Sequence, residues 1–234
     1  MRGYLTYAGN DSRTYNVYLS GSGTYNSPAH QYTTYAVPGR SGDLVLDNKR
    51  WSNGTLTYPA FIAKDFNNKM QSFRNVLNAY SGYQRLTDSY HTDEFRRALF
   101  QSAVSVSPTK VYDAGSFDIT FNVDPRRFLL SGETVTTLTA SGSVSNPTSF
   151  ESRPLLRVYG TGTVKIGNDT ITISTNASYT DIDTDLRECY KGTDNLNANV
   201  SLSGLDFPGL KPGTNNIVLS GVTKVEITPR WYRL

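Results

Sequence analysis

Acid–base, nucleophilic and metal chemistry start from histidine, cysteine and carboxylate side chains at workable spacings, and this 234-residue sequence holds few of them. It has two histidines, His30 and His91, and a single cysteine, Cys189. A Ser-His-Asp triad assembles from distant positions, so two histidines leave one formally open. No Gly-x-Ser-x-Gly elbow surrounds any serine, however, and both histidines stand among Pro, Gln, Tyr and Thr in turn-like contexts. They are therefore expected at the surface, and no catalytic residue is predicted. One cysteine excludes an intrachain disulfide and a thiolate zinc cluster. Asp181, Asp183 and Asp185 alternate like the opening of a calcium loop, which needs Gly at its sixth position and Glu at its twelfth. Leu186 and Gly192 stand there instead, so the segment reads as a strand with an acidic outer face and no metal site is expected. Gly160-Thr161-Gly162 lacks the third glycine and the following helix of a phosphate loop. No cofactor is implied.

The elements that carry these residues are mostly strands. Sixteen tyrosines, together with abundant Thr, Val and Ser, favour the pleated sheet over the helix. Tyr15 to Leu19 reads as a strand before the turn Ser20-Gly21-Ser22-Gly23. Val37-Pro38-Gly39-Arg40-Ser41-Gly42-Asp43 reads as a tight loop, after which Leu44, Val45 and Leu46 resume a strand. One segment changes period: Phe66, Met70, Phe73, Leu77 and Tyr80 recur at spacings of one helical face, with Asp65 or Asn67 placed to cap the start and Gly82 the end. Phe117 to Val123 alternates as a half-buried strand does, and Asp124-Pro125 is expected to break it. Val164 to Ile173 reads as a hairpin turning at Gly167-Asn168-Asp169. Further short strands near 199–203, 215–220 and 223–228 give the spacing of an antiparallel sandwich.

Composition bounds the rest. Hydrophobic residues make up 37% and charged residues 18%, enough for a packed core beneath a polar surface. A net charge of +3, with no basic run longer than Arg96-Arg97 or Arg126-Arg127, gives no sign of nucleic-acid binding. There is no signal-peptide pattern and no apolar run near the ~20 residues of a membrane span, so a soluble protein made in a reducing cytosol is expected. The Asn-x-Ser/Thr sequons at Asn10, Asn53, Asn168, Asn176 and Asn199 then reflect a chain rich in these residues. The break near Pro125 to Gly132 predicts two domains, 1–127 and 128–220. Val222 to Thr228 alternates like a strand, and the aromatic pair Trp231 and Tyr232 would forfeit burial at a free end. Residues 221–234 are therefore expected to return to the first domain, with Trp231 and Tyr232 docking between domains.

The order of several short motifs resembles the distal tail (Dit) proteins of siphophage baseplates. Asp11-Ser12-Arg13-Thr14-Tyr15 and then Val37-Pro38-Gly39-Arg40-Ser41-Gly42-Asp43-Leu44 are similar to that family's N-terminal domain. Asn146-Pro147, Arg153 to Gly162, Asp183 through Cys189-Tyr190, Asn195, Phe207-Pro208-Gly209-Leu210 and Pro212 to Ile217 follow in the family's order, and Thr228 to Leu234 is similar to its terminus. The resemblance implies an N-terminal β-barrel or split-barrel domain with one helix and a C-terminal galectin-like antiparallel β-sandwich. It also implies a six-subunit ring with Val37, Pro38, Gly39, Arg40, Ser41, Gly42 and Asp43 near an interface. Such a hub would join the tail tube to the tail-associated hub protein, support receptor-binding proteins at the virion tail tip, and let DNA pass without binding it.

Two other readings compete. A carbohydrate-binding adhesion module would suit a galectin-like shape, but the His-x-Asn-x-Arg strand and Trp-x-x-Glu turn of the galectin sugar site are absent. A cell-wall hydrolase is disfavoured by the scarcity of histidine.

Overall fold

A computed structural model of the chain describes residues 2–21, 27–109, 113–175 and 177–234, with backbone alone at 106–109. Ser22 and Gly23 of the expected turn, and the sequon residue Asn176, lie outside the described residues. The described chain divides into two compact units, 1–127 with Leu234, and 128–233.

The first unit contains β1 (Leu5–Tyr7), β2 (Asn10–Asp11), β3 (Val17–Leu19), β4 (His30–Tyr35), β5 (Leu44–Trp51), β6 (Gly54–Ile62), α1 (Phe66–Asn78), β7 (Gln84–Asp88), β8 (Glu94–Phe100), β9 (Val106–Thr109) and most of β10 (Ala114–Leu129). Its main sheet runs in the order β2-β1-β7-β8-β10-β6-β3 and curls into a half-barrel. β10 alternates as its sequence predicts: Phe117, Ile119, Phe121 and Val123 are buried, while Ser116 and Asp118 face solvent. It pairs with β6 from Gly115 opposite Ile62 to Val123 opposite Gly54. The expected break at Pro125 does not occur, because β10 continues to Leu129. Pairing with β6 has already ended there, so on that edge the N–H that proline lacks is not needed.

Phe66, Met70, Phe73 and Leu77 are the buried residues of α1, the stripe expected from its period, and each contributes roughly 1.5–3 kcal/mol of burial. Phe73 meets Tyr15 and Phe117 at ring-centroid distances of 5.8 and 6.5 Å. Gly115 has to be glycine, because a Cβ there would collide with the Phe66 ring. The helix ends differ from expectation. Asp65 occupies the N-cap position in a left-handed conformation with no side-chain cap bond, and its carboxylate instead accepts from the Asn68 amide at 2.8 Å. The helix stops at Asn78 with Ala79 as C-cap, leaving Tyr80 beyond it and exposed.

The second unit contains β11 (Thr136–Leu138), β12 (Gly142–Asn146), β13 (Leu155–Tyr159), β14 (Gly162–Ile166), β15 (Asp169–Ile173), β16 (Thr180–Asp183), β17 (Glu188–Lys191), β18 (Asp194–Asn195), β19 (Val200–Leu202), β20 (Gly213–Ser220), β21 (Lys224–Thr228) and β22 (Tyr232–Arg233). One sheet has the order β11-β21-β13-β16-β17-β18 and the other β12-β20-β14-β15-β19. They form an antiparallel sandwich whose core takes Leu156, Val158, Ile182, Val225 and Ile227 from the first and Val164, Ile166, Ile171, Ile173 and Ile217 from the second. The β14–β15 hairpin turns where expected, with Ile166 opposite Asp169.

The terminal segment belongs to this unit. β21 lies between β11 and β13, and Trp231, 5% exposed, is part of the sandwich core. Tyr232 stacks on Phe150 at 5.8 Å and packs against Phe128 at 6.2 Å. The Trp231 carbonyl accepts from the Leu129 amide at 2.8 Å, and the Arg230 amide donates to the Gly132 carbonyl at 2.8 Å. Residues 128–233 group together as one compact unit and Leu234 falls with the other, while β22 pairs with β10, the long strand of the nine-stranded sheet.

The acidic strand also differs from expectation. Asp181 and Asp183 are not an outer solvated face but are 4% and 2% exposed. Ile182 points into the core, so the two carboxylates lie on the opposite face, where arginines cover them. Arg157, directly across the ladder from Asp181, grips it at 2.7 and 2.9 Å and lies over the Tyr179 ring. Arg230 holds Asp183 at 2.7 and 2.8 Å.

Candidate assembly surface

The loop Val37–Asp43 caps an antiparallel hairpin of β4 and β5 that forms a sheet of its own. Register runs from Tyr35 opposite Leu44 through Thr34–Val45 and Thr33–Leu46 to Tyr32–Asp47, then shifts between Gln31 and Tyr32. Lys49 takes up the shift with φ of 51°, its amide donating to the Asp47 carboxylate at 2.7 Å. The tip turns through Gly39 and Gly42 at φ of 80° and 84°, where a side chain would be strained, and the Arg40 amide closes it onto the Val37 carbonyl at 3.1 Å. All seven tip residues are exposed, on the hairpin end.

The hairpin's apolar content is out of keeping with that exposure. Tyr35, Leu44 and Leu46 share one face with Thr33, and they are 54, 50 and 54% exposed. Val45 and Tyr32, on the other face, are 57 and 55% exposed. A two-stranded hairpin alone is marginal in water, and a contiguous apolar face of this kind marks a surface made to be covered. At the hairpin's base, the His30 ring packs between Tyr32 and Trp51 at 4.4 and 4.5 Å, and its Nε2 lies 3.3 Å from Asp47.

The sequence reading identified the tip and the strand at Leu44 to Leu46 behind it, but not that this strand is exposed. The available signal was Leu44-Val45-Leu46 itself, three apolar residues in a row where a half-buried strand would alternate. Trp231 is buried in the sandwich core and Tyr232 lies on β22, which pairs with β10.

Neither histidine is the surface residue its context suggested. His91 is half-buried, its Nδ1 2.9 Å from the Asp88 carboxylate. Asp88 also accepts from the Tyr90 and His91 amides at 2.8 and 2.9 Å and from the Tyr58 hydroxyl at 2.6 Å. Burial lowers the His91 pKa, Arg96 and Arg127 add to the effect, and Glu94 opposes it. Glu94, 3% exposed, is held by Arg127 through two bonds of 2.8 Å. The arrangement ties a turn to the sheet. Among the described residues no group of three or more His, Cys, Asp and Glu is placed to hold a metal ion. Burial pushes the Cys189 thiol up to about 11, so it is not a thiolate at neutral pH.

The motif residues have structural work. The Asp11 carboxylate accepts from the Arg13 amide at 2.8 Å to start a 3₁₀ turn. The Asn146 amide donates to the Phe150 and Leu210 carbonyls, both at 2.9 Å. The Asn215 amide donates to the Lys211 and Gly213 carbonyls at 2.8 and 3.0 Å.

No family model and no curated protein matches the sequence. Solved structures do. One is the Dit protein of phage SPP1, described as a paradigm of the hub adsorption apparatus in phages infecting Gram-positive bacteria, with a TM-score of 0.70 and 14% identity over 99% of both chains. Two chains from the phage p2 baseplate in its activated conformation, with calcium and with strontium, match over 97% of each chain. Their TM-scores are 0.50 and 0.51 and their identities 13% and 11%. The chain is therefore similar in fold, over nearly its whole length, to the Dit protein of phage SPP1.

Proposed function

We propose that this protein is a non-enzymatic structural component of a phage tail tip, forming a six-subunit ring. The ring would join the tail tube to the tail-associated hub protein, carry receptor-binding proteins outside, and pass DNA through its channel. The observation that carries this reading is the match of the whole chain, both units together, to a phage hub protein. Motif order supports it, and so does a modest net charge of +3, which suits a conduit that must not retain DNA. The β4–β5 hairpin is the contact between neighbouring copies in this reading. Its apolar face, Tyr35, Leu44 and Leu46, has no cover within its own two-stranded sheet.

Leu44 and Leu46 are each about half exposed, so completing their burial is worth roughly 1 kcal/mol apiece, half the low-to-middle range for a whole leucine. Replacing both by serine should weaken each contact by about 30-fold. Light scattering with negative-stain images tests this on the full chain. The expected result is a ring of six for the native protein and monomers for Leu44→Ser/Leu46→Ser, both with the same melting profile, since neither leucine belongs to a core. A native protein that stays monomeric at micromolar concentration, or a variant that still forms rings, would count against the assignment.

A further inference from the structure

One edge of the sandwich is open along a whole strand. β12 stands at the end of the sheet β12-β20-β14-β15-β19 and pairs with β20 from Gly142 opposite Ile217 to Asn146 opposite Gly213. In an antiparallel ladder alternate residues turn their N–H and C=O toward the same neighbour. The Asn216 carbonyl accepts from the Gly167 amide at 3.2 Å, on the β14 side. The Leu219 amide donates to the Ser141 hydroxyl at 3.0 Å, on the β12 side. Asn215 and Ile217 therefore face β12, where Val144 and Gly142 stand opposite them. Ser143 and Ser145 are left pointing outward, and their backbone N–H and C=O groups have no partner among the described residues.

That edge lacks the usual protection. Proteins blunt exposed edges with lysine, proline, bulges or covering loops. Gly142-Ser143-Val144-Ser145-Asn146 carries no charge and no proline, and its register is unbroken. At the other edge of the same sheet, β19 spends its outward Val200 amide on the Asn197 carbonyl. Beside β12 lies a groove of about 410 Å³, floored by the buried Val144, Pro229 and Trp231 and rimmed by Ser131, Thr134 and Thr136, with no charged residue in its lining. Its walls are fixed. The Leu129 amide donates to the Trp231 carbonyl and the Arg230 amide to the Gly132 carbonyl, and the Asn146 side chain ties the end of β12 to the Phe150 and Leu210 carbonyls.

We infer that β12 takes up an extended, uncharged peptide segment of another protein as an added antiparallel strand. A donor and an acceptor at every second residue, Ser143 and Ser145, are what such a strand completes. The groove selects its side chains. Every second guest residue points over Val144, Pro229 and Trp231, which suits a β-branched apolar side chain. A charged one would lose its hydration there with no countercharge in the lining. The residues between stand opposite Ser143 and Ser145, where threonine or serine makes a favourable cross-strand pair. A second copy's β12 does not fill the groove, because its own Val144 is already buried in its own core. Fixed walls mean that little has to be ordered when the guest arrives. None of this depends on ring assembly, which was assigned to the hairpin of the other unit.

Trp231 lies in the groove floor, so its fluorescence in the full chain carrying Trp51→Phe reads occupancy. The probe is a hexapeptide of alternating valine and threonine, capped at both ends. The expected result is a saturable change at millimolar peptide, with the Ser143 and Ser145 amides gaining protection from exchange. Ser145→Pro deletes one outward N–H and no bond to β20, and should weaken binding by about tenfold, the effect of one backbone hydrogen bond. Ser145→Ala, which removes only a hydroxyl, should leave binding unaltered. The same peptide N-methylated at its threonines should bind the native chain about tenfold more weakly, a comparison that holds even if Ser145→Pro does not fold. The inference is overturned if the probe does not bind, if the folded Ser145→Pro variant or the N-methylated peptide binds as tightly as its parent, or if a peptide with lysine or glutamate in place of valine binds better. Light scattering of Leu44→Ser/Leu46→Ser, which removes the hairpin contact, should show no dimer. A dimer that Ser145→Pro dissolves would make a second copy the occupant and overturn the inference as well.

Discussion

Replacing Arg230 by methionine should strip the buried Asp183 carboxylate of its countercharge while keeping most of the side-chain volume. Asp183 is 2% exposed, and Arg230 supplies its guanidinium partner among the described residues, through bonds of 2.7 and 2.8 Å. Breaking a buried pair by removing one partner costs about 3–5 kcal/mol. Two features put this case at the low end. Asp183 keeps the Asp185 and Leu186 amides at 3.0 and 3.1 Å, and the Arg230 side chain is 21% exposed, so the lost pair is partly screened. About 3 kcal/mol is therefore expected at neutral pH. The loss has a pH signature. Burial pushes the Asp183 carboxyl up, and Arg230 with the two amides more than reverses this, holding it below its ordinary value. In the native chain its contribution is present above the unfolded carboxyl value of ~3.9 and lost as pH falls through the folded one. In the variant, burial dominates, the folded value rises above the unfolded one, and protonation at falling pH relieves the penalty. The gap between native and variant should thus be widest near pH 7 and close toward pH 4. Urea unfolding followed by Trp231 fluorescence in a Trp51→Phe background reads the second unit, since Trp231 lies in its core. An Asp183→Asn/Arg230→Met double variant should recover most of the loss. A penalty below about 1 kcal/mol, or one of ~3 kcal/mol that does not change with pH, would refute the electrostatic argument and leave packing as the cause.

Three more outcomes follow from particular contacts. Gly132→Ala would drive a Cβ into the Trp231 amide nitrogen, and the displaced terminal segment should cost about 1–3 kcal/mol in the same urea assay. Asn146→Ala removes the amide that donates to the Phe150 and Leu210 carbonyls and the oxygen that accepts from Thr148, for a loss of about 1–3 kcal/mol. His91 is one pH-sensitive group of the first unit. Its folded pKa is lowered by burial, so the stability it contributes is present above ~6.5 and lost as pH falls through the folded value. Amide-exchange protection at Leu86 and Ile119 should fall between about pH 7 and pH 5 in the native chain, and His91→Gln should flatten that slope.

Where periodicity alone decides the outcome, the sequence was readable. Phe66, Met70, Phe73 and Leu77 name a helix face, and Phe117 to Val123 a half-buried strand, because each pattern has one geometric solution. Asp181 and Asp183 show the limit. Alternation tells that they oppose Ile182, but not that Arg157 sits across the ladder or that Arg230 arrives from 47 residues away. The same limit hid Asp88, Tyr58 and Glu94 around His91. Trp231 could be read as a residue needing burial, but not that the sandwich core takes it. The motifs that carried the resemblance, Asp11-Ser12, Asn146-Pro147 and Pro212 to Asn215, hold turns and loop ends by side-chain-to-backbone bonds. They therefore report fold well and a binding site poorly. The hairpin escaped because strand β5 is apolar on both faces, which reads as a buried strand when no partner is in view.

The hairpin also limits how long a newly made chain can stay alone. Leu44-Val45-Leu46 is a short β-forming run on a strand whose outer backbone edge is unpaired among the described residues, the kind of template on which strands from other copies add without end. Asp43 ahead of the run and Asp47, Lys49 and Arg50 behind it act as gatekeepers, since like charges stacked in register repel. That protection is ionic and is screened as salt rises above physiological strength, where the Debye length falls below about 8 Å. An ordered contact that covers this strand, such as the proposed ring would supply, thus competes with fibre growth, and ionic strength bears on the balance.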